Sequence, residues 1–182
     1  MTVFDTYVPK DIFEIKDLAY IKDAILHYGD ALYQRHPAMH FSASAMIFNE
    51  SMTKTLMIYH KLYDSWGWTG GHLDGDKDFK IVALKEAIEE TGIRQFKFLT
   101  EEPVSIEVLP VWFHIKRHEA ISSHLHLNVS YLLVADENDP LLVNEIETNG
   151  CKWIDIKDIT SFVSEPEMMP IYTKLIERGK NL

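Results

Sequence analysis

The sequence predicts an α/β fold, a mixed central sheet with helices packed on its faces and a helical extension ahead of it. Three observations carry this: strand-sized apolar runs bounded by turn residues, helix-period segments between and after them, and a separate amphipathic stretch before the first strand. In that stretch Ile15, Leu18, Ile21, Ile25, Leu26 and Leu32 recur near three- or four-residue spacing, so a helix is expected from Ile15 to Tyr33, ending before Arg35-His36-Pro37. Phe41 to Phe48 and Thr55 to Tyr59 read as a hairpin joined at Asn49-Glu50-Ser51. After Trp66-Gly-Trp68-Thr69 and the pair Gly70-Gly71, the period turns helical through Ile81, Ala83, Leu84, Ala87 and Ile88, and Gly92 supplies the cap. Val104 to His114 and His124 to Ala135 form a second expected hairpin across a polar loop, Cys151 to Ile154 a short strand, and Met168 to Arg178 a last helix that tolerates Pro170 in its first turn. Residues 1–38 are thus an extension and 39–182 the main domain.

Composition narrows the function classes. The 182 residues are 46% hydrophobic and 25% charged, enough to bury a core without disulfides or a structural metal. A single cysteine, Cys151, cannot close an internal disulfide, and the first residues lack a secretion signal, so a cytoplasmic location is expected. No apolar run approaches bilayer length, so no membrane partner is expected. The formal charge of -10 repels a phosphate backbone, which argues against a nucleic-acid polymer. A small anionic substrate requires a cation or a local basic cluster to reverse the field.

Glu86, Glu89 and Glu90 stand at i, i+3 and i+4 and are expected on one helix face, away from Ala83, Leu84, Ala87 and Ile88. Like charges at these spacings repel, and in the last turns of a helix the macrodipole disfavours them further. Either the face is simply solvated, or the carboxylates hold a hard divalent cation such as Mg²⁺ or Mn²⁺. Asp74-Gly-Asp76-Lys-Asp78 opens like a calcium loop, but Phe79 and Lys85 occupy the positions that need Gly and a bidentate Glu. These aspartates therefore belong to a polar loop.

The segment from Gly71 to Ile93 closely resembles the signature of the Nudix (MutT-like) hydrolase superfamily, with Gly71, Glu86, Ala87, Glu89, Glu90, Gly92 and Ile93 at its spacings. The approach Trp68-Thr-Gly-Gly-His72 and the late Cys151-Lys-Trp-Ile-Asp-Ile-Lys-Asp158 look like the matching parts of many such domains, so the resemblance runs from Met39 to the C-terminus. It implies an α-β-α sandwich and metal-dependent hydrolysis of a nucleoside or other organic diphosphate linked to a further moiety. Carried over, Glu89 and Glu90 ligate Mg²⁺ or Mn²⁺ with the Gly70 carbonyl, Glu86 binds metal or acts as base, Lys85 orients the carboxylates, and Gly71 allows close approach. Two positions depart: Lys77 replaces the first signature Glu and Lys85 the signature Arg, which loses the bidentate fork. The alternative is therefore a regulatory module of the same fold with weak turnover. A related isomerase reaction needs a cysteine early in the domain, and Cys151 comes late.

Substrate contacts fall outside the signature. His124, His126 and Asn128 share one strand face, where related sequences often show His-x-His-x-Asp. The His pair either faces solvent or contacts phosphate or a transition metal. His72, after the glycine pair, is a substrate candidate; Trp68 and Trp66 either stack on a base or join the core. Glu145 and Glu147 are candidate late metal ligands or an exposed acidic loop, Cys151 a small buried apolar residue, and the N-terminal helix allows a homodimer.

Overall fold

The computed structural model describes residues 2–116, 118–142 and 148–182. A short helix α1 (Val3–Thr6) precedes α2 (Ile12–Tyr28), whose N-cap Asp11 accepts the Glu14 N–H. At Gly29 (φ 51°) the α-helix gives way to a 3₁₀ turn, Gly29–Tyr33, so the expected helix starts earlier and changes type before its end. Strands β1 (Met39–Asn49), β2 (Lys54–His60), β3 (Ser65–Gly67) and β4 (Thr69–His72) follow, then α3 (Phe79–Thr91). After them come β5 (Lys97–Phe98), β6 (Ser105–Val111), β7 (His114–Lys116), β8 (Glu119–Ile121), β9 (His124–Ala135), β10 (Thr148–Asp155) and α4 (Met169–Lys180).

Both expected hairpins form: β1 pairs antiparallel with β2, and β6 with β9. The polar connection between β6 and β9 adds a small hairpin of its own, β7 with β8. The sheet is mixed because β1 runs parallel to β9 along its whole length, Met39 opposite Leu125 through Asn49 opposite Ala135. Among the described residues its central order is β10-β2-β1-β9-β5, with β3 on β2, β4 on β1 and β6 on β9.

The period of two along β1 sorts its residues between two layers. Phe41, Ala43, Ala45 and Ile47 are buried with Phe4 of α1, Leu18 and Ile21 of α2, and Phe79, Val82 and Ala83 of α3. Met46 and Phe48 are buried on the other face with Tyr172, Leu175 and Ile176 of α4. The remaining residues of that second face, His40, Ser42 and Ser44, are polar yet also buried. The N-terminal extension therefore shares the main core, while two positions assigned to its apolar stripe, Ile15 and Leu26, are 52% and 84% exposed.

Candidate active site

α3 starts at Asp78, whose carboxylate accepts the Lys80 and Ile81 N–H groups, and stops at Gly92, whose φ of 77° suits a residue without a Cβ. Between these caps the helix lies across β4. Glu90 is 4% exposed, and its carboxylate accepts the Gly70 N–H at 3.0 Å. A Cβ on Gly71 would fall 2.7 Å from each Glu86 carboxylate oxygen, and one on Gly70 would fall 2.6 Å from Ser44 Oγ. Gly71 is thus what lets the Glu86 carboxylate lie against the strand, and Gly70 what lets that strand lie close to β1.

This corrects the expected face. Seven residues turn a helix to within about 20° of where it began, so Glu90 shares the side of Ala83. That side is buried, whereas Ile81, assigned to the apolar stripe, is 57% exposed. The alanines at 83 and 87 are small enough for the helix to approach the glycine strand. Glu89 is exposed and lies 3.8 Å from Lys85 Nζ, one turn earlier.

The extension pins the loop between β4 and α3. Arg35 donates two hydrogen bonds of 2.7 Å to Asp74, Gly75 N–H donates to the Tyr33 carbonyl at 2.7 Å, and Lys77 Nζ lies 2.8 Å from Asp30. Asp76 accepts the Asp78 N–H. The Arg35 hydrogen bonds hold the Asp74 carboxyl below its ordinary pKa, despite burial that opposes the shift. The three aspartates serve turn, cap and ion pair, in keeping with a polar loop.

The polar stretch of the second sheet face divides in two. At one end His124 and His126 meet His72 and a residue that sequence reasoning missed, His40, placed opposite His126 by the parallel register. Ring centroids of His40 lie 4.8–4.9 Å from those of the other three, and His72 Nε2 lies 3.2 Å from His126 Nε2. Burial, and then the neighbouring histidines, push the His126 imidazole down to about 2, so it stays neutral. Asn128 shares their face but not their surroundings: it is 1% exposed and bonded to Ser42, Ser44, Ser130 and Glu107.

Trp68 is half-buried with its ring edge-on to Tyr172 at 5.5 Å, and Trp66 packs against Tyr59 and under Lys152 Nζ. Cys151 is half-buried against the core rather than enclosed in it. Burial and the Glu90 charge push its thiol up to about 12, which suits no nucleophile. Glu145 and Glu147 lie outside the described residues. A groove of about 440 Å³ between the extension and the start of α3, lined by Asp30, Tyr33, Lys77 and Phe79 among others, includes none of the helix glutamates.

The NUDIX domain family matches residues 38–178, and the chain belongs to the Nudix hydrolase family. Solved structures agree on the fold. An Ap4A hydrolase of C. elegans, in a binary complex, superposes with a TM-score of 0.58 at 18% identity, covering 78% of this chain and 98% of that one. The E. coli dihydroneopterin triphosphate pyrophosphohydrolase gives 0.59 at 14% identity, covering 79% and 97%. The NUDIX domain of Shewanella oneidensis NrtR, complexed with ADP ribose, gives 0.53 at 17% identity, covering 86% and 97%. No curated protein sequence is significantly similar to this chain. Among the described residues, no helix is long and apolar enough to cross a membrane.

Proposed function

We propose that this protein is a metal-dependent hydrolase of a nucleoside or other organic diphosphate linked to a further moiety, working with Mg²⁺ or Mn²⁺. The observation that carries the reading is the burial of Glu90 against the Gly70-Gly71 strand, with Glu86 packed on the same strand and Glu89 beside them. A merely solvated acidic face has no reason to bury one of its charges. An all-oxygen set of carboxylates with the Gly70 carbonyl fits a hard cation. When bound, the ion neutralises the diphosphate and lowers the pKa of water. Glu89 and Glu90 would hold it, and Glu86 would hold it or take the proton of the attacking water. Lys85 orients Glu89, and Gly71, lacking a Cβ, lets the Glu86 carboxylate lie against the strand. His72, His124, His126 and Trp68 supply the substrate side.

The same cation lets a chain of formal charge -10 accept an anionic substrate. The single cysteine suits a cytoplasmic enzyme, and exposed Ile12, Ile15 and Leu26, which share one face of α2, support a homodimer contact.

The test is phosphate release, coupled through inorganic pyrophosphatase for nucleoside triphosphates and through phosphatase for nucleotide sugars, dinucleoside polyphosphates, ADP-ribose and NADH. Turnover requires Mg²⁺ or Mn²⁺ and drops by at least about 100-fold in Glu89→Gln and Glu90→Gln, as loss of a metal-holding group predicts. Metal-dependent binding without turnover in the unaltered protein would make it a regulatory module instead.

A further inference from the structure

Four of the nine histidines converge at one end of the sheet, on three strands. One nitrogen from each of His40, His124 and His126 falls within 4.8 Å of the others. Two of the three rings are already fixed in the tautomer that a metal needs. His40 Nδ1 lies 2.9 Å from the His36 carbonyl and His124 Nδ1 lies 2.8 Å from the Ser122 carbonyl. A carbonyl oxygen only accepts, so each Nδ1 carries the proton and each Nε2 keeps its lone pair. This backbone anchoring of the far nitrogen is the usual outer support of a metal-ligating imidazole.

His40 adds an independent sign. The residue is 5% exposed, and its Nε2 has no hydrogen-bond partner within the protein. A buried lone pair left without a donor costs about 1–3 kcal/mol, and a cation among the three rings would remove that cost. His72 lies beside them, its Nε2 3.2 Å from His126 Nε2, within hydrogen-bond distance.

We propose that His40, His124 and His126, with His72 beside His126, hold a borderline transition-metal ion of the Zn²⁺ type, distinct in chemistry from the carboxylate site on α3. Neutral nitrogen donors favour Zn²⁺, Co²⁺ or Ni²⁺, whereas Mg²⁺ and Mn²⁺ favour carboxylate oxygen, so the two sites sort different ions. An anion is the weaker occupant, because the nearby cation Arg35 is already forked onto Asp74. The proposal extends the substrate reading of His124 and His126, whose contact would then pass through the ion, and it does not depend on hydrolysis at the glutamates.

The test uses the full chain, stripped with chelator and titrated with Zn²⁺ against a chromophoric competitor in excess Mg²⁺. One equivalent binds, and affinity falls at least about 10-fold in His124→Ala and in His126→Gln but not in Glu89→Gln. Co²⁺ in place of Zn²⁺ gives visible absorption bands that His124→Ala abolishes. Should the variants unfold, imidazole nitrogen NMR of the unaltered chain decides the matter: Zn²⁺ shifts His40, His124 and His126 first. Absence of stoichiometric binding, binding lost only in Glu89→Gln, shifts confined to His27, His114 or His118, or saturable binding of inorganic phosphate with none of Zn²⁺ would each overturn the proposal. Mg²⁺-dependent turnover of the unaltered chain, measured in parallel, tests the carboxylate reading separately, so failure of one reading is distinguished from failure of the other.

Discussion

Asn128 uses every hydrogen-bonding site its side chain has. Its oxygen accepts from Ser42 and Ser44, and its amide nitrogen donates to Ser130 and Glu107. This explains the departure from the Asp that related sequences often carry: a carboxylate here could not donate to Glu107 and would face it as a like charge. Asn128→Asp is expected to destabilise the fold by about 3–5 kcal/mol, read from urea midpoints, because it buries an uncompensated charge. Alternation along the strand made the shared face of His124, His126 and Asn128 legible in the sequence. It could not show that one end of that face is sealed, since Ser42, Ser44 and Glu107 come from other strands. For the same reason His40 escaped notice, 86 positions before its partner and joined to it only by parallel pairing.

At the scale of elements, α3 was the most readable part of the chain because its signals are local: the helical period and the cap at Gly92, although the Asp78 cap at its start went unread among the loop aspartates. Which face it turns to the sheet was misread, because hydropathy alone assigns Glu90 to water and Ile81 to the core. The deciding fact is the bare strand opposite, which accepts the glutamates. Gly71→Ala therefore leaves α3 folded but displaces the flexible Glu86 carboxylate. Turnover should fall about 10–100-fold with a melting temperature changed little, the magnitude expected for disturbing a supporting contact of a metal site. The loop before α3 shows a second non-local effect. Lys77, an exception within the signature, pairs with Asp30 of the extension. Both groups are exposed, so the pair adds little stability and serves mainly to place the loop.

Across the whole molecule, the extension and the last helix are joined by a buried charge. Glu14 of α2 is fully buried and is contacted by Arg178 and Lys174 of α4, the latter at 3.1 Å, and by the Ser105 hydroxyl at 2.8 Å. Burial alone would raise its carboxyl. Arg178, the Lys10 N–H, Ser105 and Lys174 reverse the effect and hold it at about 2, against an ordinary 4.5. A carboxyl depressed in the folded state stabilises it fully above the ordinary value, and that stability drains away as pH falls from about 4.5 towards 2. Urea midpoints across this range should fall, and the fall should be shallower in Glu14→Gln. His126 acts earlier in the same direction. Below its ordinary 6.5 the unfolded chain takes a proton that the folded ring refuses. Arg178→Ala, which strands the buried carboxylate, should cost about 3 kcal/mol even with Lys174 still in place.

The separation of this pair in sequence also governs the order of events at the ribosome. Glu14 and Arg178 are 164 residues apart. A nascent chain therefore carries the buried position of α2 with its main countercharge still unsynthesised, and β1 waits likewise for β9. Helix α2 cannot dock in its final place before α4 is made without stranding a carboxylate, so it leaves the ribosome well ahead of α4 yet settles only with it.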